Sequence, residues 1–220
     1  MRIAGRFNGP PGSANGGVTA GRLAAYVGAT AVEVTLRRPP PLDVDLRVEA
    51  SGGSARLLDG DVVVAEAVPS SVEVDAGAPV GVEQAAATVF PGRDRHPYPT
   101  CFVCGTERSD GLAVHPGPLG DGRVAGVWTP TSDDPVLVWA ALDCPGGWAS
   151  DLAGRPLVLG RLALERHGEV RPGEPHVVVG WTTGSEGRKV HTATALRAAD
   201  GTLLALSRGT WLAVPHLTAT

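Results

Sequence analysis

From Leu42 to Ala50 apolar and polar residues alternate, with Leu42, Val44, Leu46 and Val48 on one side and Asp43, Asp45, Arg47 and Glu49 on the other. A period of two is the mark of a half-buried strand. Strand signals also cover Ala31 to Leu36 and Ser54 to Leu58, and the latter runs into an Asp59-Gly60 turn that Asp61 to Val68 answers as the second arm of a hairpin. Val72 to Val74 is expected to extend this sheet beyond Pro69-Ser70-Ser71. Ahead of the strands, Ala14 to Val27 has few breakers after its glycines; Val18, Leu23, Ala24, Tyr26 and Val27 make a helix-compatible apolar face, and Gly28 is a stop. The first part of the chain therefore reads as a helix followed by a run of antiparallel strands.

The pattern loosens between Asp75 and Asp110, which holds Pro79, Pro91, Pro97, Pro99 and the charged patch Arg93-Asp94-Arg95. This stretch reads as a connection. Beyond it, strands are expected at Gly111 to Val114 and Arg123 to Trp128, followed by an apolar stretch from Val136 to Leu152. A helix is placed there with its start near Cys144 or Pro145, since proline suits a first turn. Four more strands follow, at Leu157 to Glu165, His176 to Thr183, Lys189 to Ala198 and Thr202 to Val214, the last two joined at Asp200-Gly201. Helix and antiparallel strands thus occur twice, which divides the chain into residues 1–92 and 93–220 with a linker over roughly 75–110.

Either half of a 220-residue chain is long enough to bury a core. A net charge of −4 argues against nucleic acid or an anionic membrane as partner. Nowhere do about 18 apolar residues run together, and the first residues lack the apolar region of a signal peptide. A soluble cytoplasmic protein is expected. Three cysteines are too few for a disulfide scaffold and suit a reducing compartment.

Two segments carry the candidate chemistry: Ser13-Ala14-Asn15-Gly16-Gly17-Val18 and Asp143-Cys144-Pro145-Gly146-Gly147-Trp148. Paired glycines at a helix start let backbone N–H groups approach a carbonyl or anion that the helix dipole favours. Only the second segment opens on a carboxylate. Asp143 has two readings, a catalytic acid or base and an ordinary helix cap; Asn15 likewise is either an N-cap or an amide that orients water or a carbonyl. Asp151 is a second-choice acid. Cys101-x-x-Cys104, with His96 and His115, admits a zinc reading, but the second ligand pair at knuckle spacing is missing, so both thiols are expected to be buried and no metal site is expected. Cys144 is considered separately, as a thiol that a helix N-terminus would activate. The histidines at 96, 115, 167, 176, 191 and 216 form no metalloenzyme pair, and there is no Gly-x-Ser-x-Gly elbow or phosphate-cradling loop.

With these two segments, the repeated helix and strand order and the run Cys101-Phe102-Val103-Cys104-Gly105 followed by Gly111-Leu112, the chain resembles the hotdog-fold thioesterase superfamily. The likeness is to members with two hotdog modules in one polypeptide. The resemblance implies an α+β fold in which each module wraps an antiparallel sheet around a central helix, with an acyl thioester bound between modules. Asp143-x-x-Gly146 is similar to the Asp-x-x-Gly signature of the 4-hydroxybenzoyl-CoA thioesterase branch, which implies Asp143 as nucleophile or general base. On that basis Gly146, Gly147 and Trp148, with Asn15, Gly16 and Gly17 of the first segment, are the substrate-binding residues. Acyl-CoA or another acyl thioester is the implied partner, no cofactor is needed, and a homodimer is admitted. Two alternatives stay open: a catalytically silent acyl-binding protein, and a dehydratase or cyclase acting on a carrier-bound chain.

Overall fold

The computed structural model describes residues 1–214. Helix α1 (Gly16–Ala24) is followed by β1 (Ala31–Leu36), β2 (Arg47–Ser51), β3 (Ser54–Asp59) and β4 (Val62–Pro69). After a long connection that holds the one-turn helix α2 (Val82–Ala86) come β5 (Gly117–Pro118), β6 (Arg123–Trp128) and helix α3 (Pro135–Ala149). The chain then runs through β7 (Leu157–Arg166), β8 (His176–Glu186), β9 (Lys189–Ala198) and β10 (Leu203–Ala213). The two Asp-Gly turns close their hairpins with Gly60 at φ 58° and Gly201 at φ 89°, a left-handed conformation that glycine adopts without strain.

All ten strands belong to one sheet in the order β2-β3-β4-β1-β7-β10-β9-β8-β6-β5, and every pairing is antiparallel. The seam is the β1–β7 pair, with Val34 opposite Leu162, so the strands before the connection and those after it form one continuous ladder. Helices α1 and α3 pack together, and a Cβ on Gly17 would lie 2.6 Å from the Trp139 carbonyl oxygen. Small residues let the two backbones approach. Helix α3 is apolar nearly all round and buried from Val138 to Trp148, as expected of a helix enclosed on all sides.

The connection lies on the opposite face of the sheet. Val72 packs with Ala163, Ala195 and Leu206, while Val80 and Ala85 pack with Ala125, Val177 and Val179. In β9, Thr194 donates to the Leu142 carbonyl of α3 (2.8 Å), and its neighbour Ala195 faces the connection. Strands covered on both faces read as continuous apolar runs, which is why Val177-Val178-Val179 shows no alternation. No helix among the described residues is long and apolar enough to cross a membrane.

Four sequence expectations are corrected here. Helix α3 begins at Pro135, nine or ten residues before the expected start, because Asp134 caps it by accepting the Val136 N–H (2.9 Å); Pro145 lies inside the helix. Val72 to Val74 forms no strand and serves as cover for the sheet. Gly111 to Val114 also forms no strand, since its amides bond the connection: Leu112 to the Phe102 carbonyl and Val114 to that of Val103. The first half of the alternating run from Leu42 pairs only with the chain start, through Asp43 N–H to Ile3 and Leu46 N–H to Met1.

Candidate functional site

Asp143 sits inside α3 and points at the N-terminus of α1. Its Oδ2 accepts the Gly17 N–H (2.9 Å) and the Asn15 Nδ2 amide (3.0 Å). Asn15 is the N-cap of α1, its Oδ1 accepting the Val18 N–H at 2.9 Å, so one side chain both starts the helix and holds the carboxylate. The close crossing at Gly17 puts its amide within reach, and the α1 dipole favours the negative charge. Asp143 is 3% exposed, and its Oδ1 is buried with no partner. Burial pushes the carboxyl up to about 7; the Gly17 N–H and the Asn15 amide oppose the rise, and the charge of Cys101 adds to it. Such a group can take up and return a proton near neutrality.

Asn15→Ala removes the cap and one donor to Asp143. A loss of about 1–2 kcal/mol in unfolding free energy is expected, read by denaturant titration. Asn15→Ser should restore most of it by capping alone.

The structure brings together Asn15, Gly16, Gly17 and Asp143, and keeps Gly146, Gly147 and Trp148 apart from them. These three lie in the last turn of α3, where amides turn toward carbonyls of the preceding turn, so they are not free donors at a helix start. A Cβ on Gly146 would meet Thr192 and Trp211, and one on Gly147 the Trp211 ring; both glycines serve close packing. Trp148 packs edge-on against Phe90 and His96, with centroids 4.6 and 5.0 Å away, and its Nε1 is buried without a partner. Asp143 does not cap its own helix; it accepts the Gly17 amide in the first turn of the other one. Asp151 is exposed and closes a turn by accepting the Gly154 N–H at 3.2 Å, and the Ser13 hydroxyl donates to the Ala14 carbonyl.

Beside Gly16 an apolar cavity of about 270 Å³ opens across the β1–β7 seam. Leu36, Leu159 and Leu212 line it, and the exposed Arg38 adds positive charge, while Arg37 is paired with Glu66 at 2.6 Å. Asp143 is not among its lining residues.

Sequence reasoning missed how the cysteines combine. Cys144, on the residue after Asp143, joins Cys101 and Cys104 so that the three sulfurs lie within 4.8 Å of one another. Cys101 and Cys144 are 3.8 Å apart, and the Asn15 amide is 3.9 Å from the Cys101 sulfur. Thiol hydrogen bonds from Cys104 and Cys144 hold Cys101 well below the usual thiol range, while Cys104 and Cys144 are pushed up. The signal in the sequence was the count of three; spacing hid the third. The suggested ligand His96 is already committed, its Nδ1 accepting the Tyr98 N–H (3.0 Å) and its Nε2 bonding the Cys104 carbonyl (3.0 Å). His115 stacks on Phe90 at 4.7 Å. His216 lies outside the described residues.

A long antiparallel sheet enclosing buried apolar helices, with polar residues gathered where the helices meet, defines an α+β hotdog fold. Thioesterase-like hotdog proteins are its structural neighbours. A conserved protein of unknown function with hotdog fold from Alicyclobacillus acidocaldarius matches at TM-score 0.63 and 13% identity, over 97% of this chain and 92% of that one. A candidate thioesterase II from Thermobifida fusca matches at 0.62 and 14%, over 98% and 91%. The dehydratase domain of PpsC from Mycobacterium tuberculosis, solved in complex with C12:1-CoA, matches at 0.59 and 16%, over 91% and 85%. At these identities the likeness shows the fold. No family model and no curated protein matches the sequence.

Proposed function

We propose that the chain is two hotdog modules, residues 1–92 and 93–220, and hydrolyses an acyl or aroyl thioester where α1 meets α3. Acyl-CoA is the substrate class, in keeping with the CoA ligand of one structural neighbour. The observation that carries this reading is the division of labour within one carboxylate: Oδ2 is anchored by Gly17 and Asn15, and Oδ1 is left free. The apolar cavity beside Gly16 takes the acyl group, and Arg38 faces its anionic carrier. With the carbonyl near the start of α1, Asp143 Oδ1 takes a proton from a water that attacks the carbonyl carbon. The resulting oxyanion forms beside the helix N-terminus, the C–S bond breaks, and the thiol leaves with the proton. Asp143 attacking directly as a nucleophile uses the same placement.

The absence of Asp143 from the cavity lining favours a second reading, a catalytically silent acyl-binding protein. A panel of acyl- and aroyl-CoAs, followed by free-thiol release, decides between them: turnover above background supports the hydrolase, and measurable affinity without turnover supports the silent module. A dehydratase is disfavoured, because among the described residues no histidine hydrogen-bonds Asp143.

A further inference from the structure

We infer that Cys101, Cys104 and Cys144 form a binding site for a thiophilic d¹⁰ cation, zinc(II) or copper(I), that ties the connecting segment to α3. A zinc–sulfur bond of about 2.3 Å in a tetrahedral site separates sulfurs by about 3.8 Å. The Cys101–Cys144 distance is 3.8 Å, and Cys104 lies within 4.8 Å of both. Bringing the third sulfur in therefore closes a gap of at most about 1 Å. Three thiolates alone suit trigonal copper(I); zinc takes one further donor.

The surroundings of Cys101 are shaped for a charged sulfur. The Asn15 Nδ2 amide donates to the Cys101 sulfur at 3.9 Å, a contact that favours thiolate. Gly105 closes the loop, its N–H bonding the Cys101 carbonyl at 2.8 Å; a Cβ there would lie 2.5 Å from that same oxygen. A side chain at residue 105 would open the turn. The three thiols are 3%, 1% and 4% exposed, so a thiolate among them needs a cation for charge balance. His96 is not free to pair with it, since its Nδ1 accepts the Tyr98 N–H and its Nε2 bonds the Cys104 carbonyl. A cavity of about 320 Å³ lined by Gly105, Thr106 and His115 leads from the surface to the residue after Cys104.

The site is independent of the thioester reading and is tested on the full, reduced chain under anaerobic conditions. Zinc(II) and copper(I) are titrated separately against a competing chelator, and cobalt(II) replaces zinc for absorption spectroscopy. Expected are one cation per chain, protection of all three thiols from alkylation, and, with cobalt, a thiolate charge-transfer band. Cys144→Ser should weaken binding by more than the roughly 10–100-fold typical of losing an outer-shell partner. Should that variant not fold, alkylation of the three cysteines in the wild-type chain, with and without cation and read by mass spectrometry, decides alone. Failure of the reduced wild-type chain to take up either cation, or bound cation with the three thiols still reacting freely, overturns the site. A protein that turns over thioesters without binding a cation loses this inference and keeps the hydrolase; one that binds a cation without turnover does the reverse.

Discussion

Asp143→Asn is expected to lower kcat for thioester hydrolysis by about 10²–10⁴-fold, the range that loss of a positioned general base produces. The substitution preserves volume, and the asparagine carbonyl can still accept from Gly17 and Asn15, while its NH2 takes the place of the unpartnered Oδ1. What is lost is a group able to take a proton. A buried carboxyl pushed up to about 7 costs stability once ionised, so the melting temperature of the variant should hold or rise at neutral pH. Asp143→Ala makes the contrast. It leaves the Gly17 N–H and the Asn15 amide without their partner, at about 1–3 kcal/mol, and should lower both activity and melting temperature. Undiminished turnover in Asp143→Asn, measured by free-thiol release, would reduce Asp143 to a cap for the opposite helix.

How much of this was legible in the sequence depends on the distance over which each feature is decided. Strands whose neighbours are set by local turns were readable: β1, β6 and β9 have the expected ends, and both Asp-Gly hairpins form where the turn chemistry put them. Stretches whose partner is remote were not. Val72 to Val74 has the composition of a strand, but its apolar side chains lie across the sheet face, and nothing local distinguishes covering a sheet from joining its edge. The start of α3 was misplaced because Asp134-Pro135 and Cys144-Pro145 both offer a proline for the first turn. Pro145 forfeits one intrahelical bond and lies inside a helix whose residues are buried from Val138 to Trp148.

The site divides in the same way. Asn15, Gly16, Gly17 and Asp143 were identifiable by residue type, but their meeting was not, since 126 residues separate Gly17 from the carboxylate it holds. The likeness between the two glycine-bearing segments led to two equivalent helix starts, and only the first is one. In the second, Gly146 and Gly147 give room to Trp211 and Thr192 instead of exposing amides. The cysteine cluster was hidden for a related reason: Cys101 and Cys104 announce themselves by spacing, whereas Cys144 reaches them through the placement of α3.

Gly17→Ala should therefore be more damaging than its size suggests. A Cβ at this position lies 2.6 Å from the Trp139 carbonyl oxygen, 2.8 Å from Asp143 Cβ and 2.9 Å from Ala140 Cα. Two of these atoms are backbone of α3, so no side-chain rotation relieves the contact and the helices must separate. Alanine's better helix propensity returns about 1 kcal/mol, against roughly 1–3 kcal/mol or more for overpacking a close crossing. The expected balance is a loss of stability that lowers the melting temperature by several degrees, at about 2–4 °C per kcal/mol for a chain of this size. Turnover should fall with it, because the same separation lengthens the Gly17 N–H bond to Asp143 and frees the carboxylate to rotate. Gly184→Ala in β8 provides the comparison, since its Cβ would meet nothing within 4 Å. A Gly17→Ala protein as stable and as active as Gly184→Ala would mean that the helix crossing does not position Asp143, and the anchoring of Oδ2 would lose its place in the mechanism.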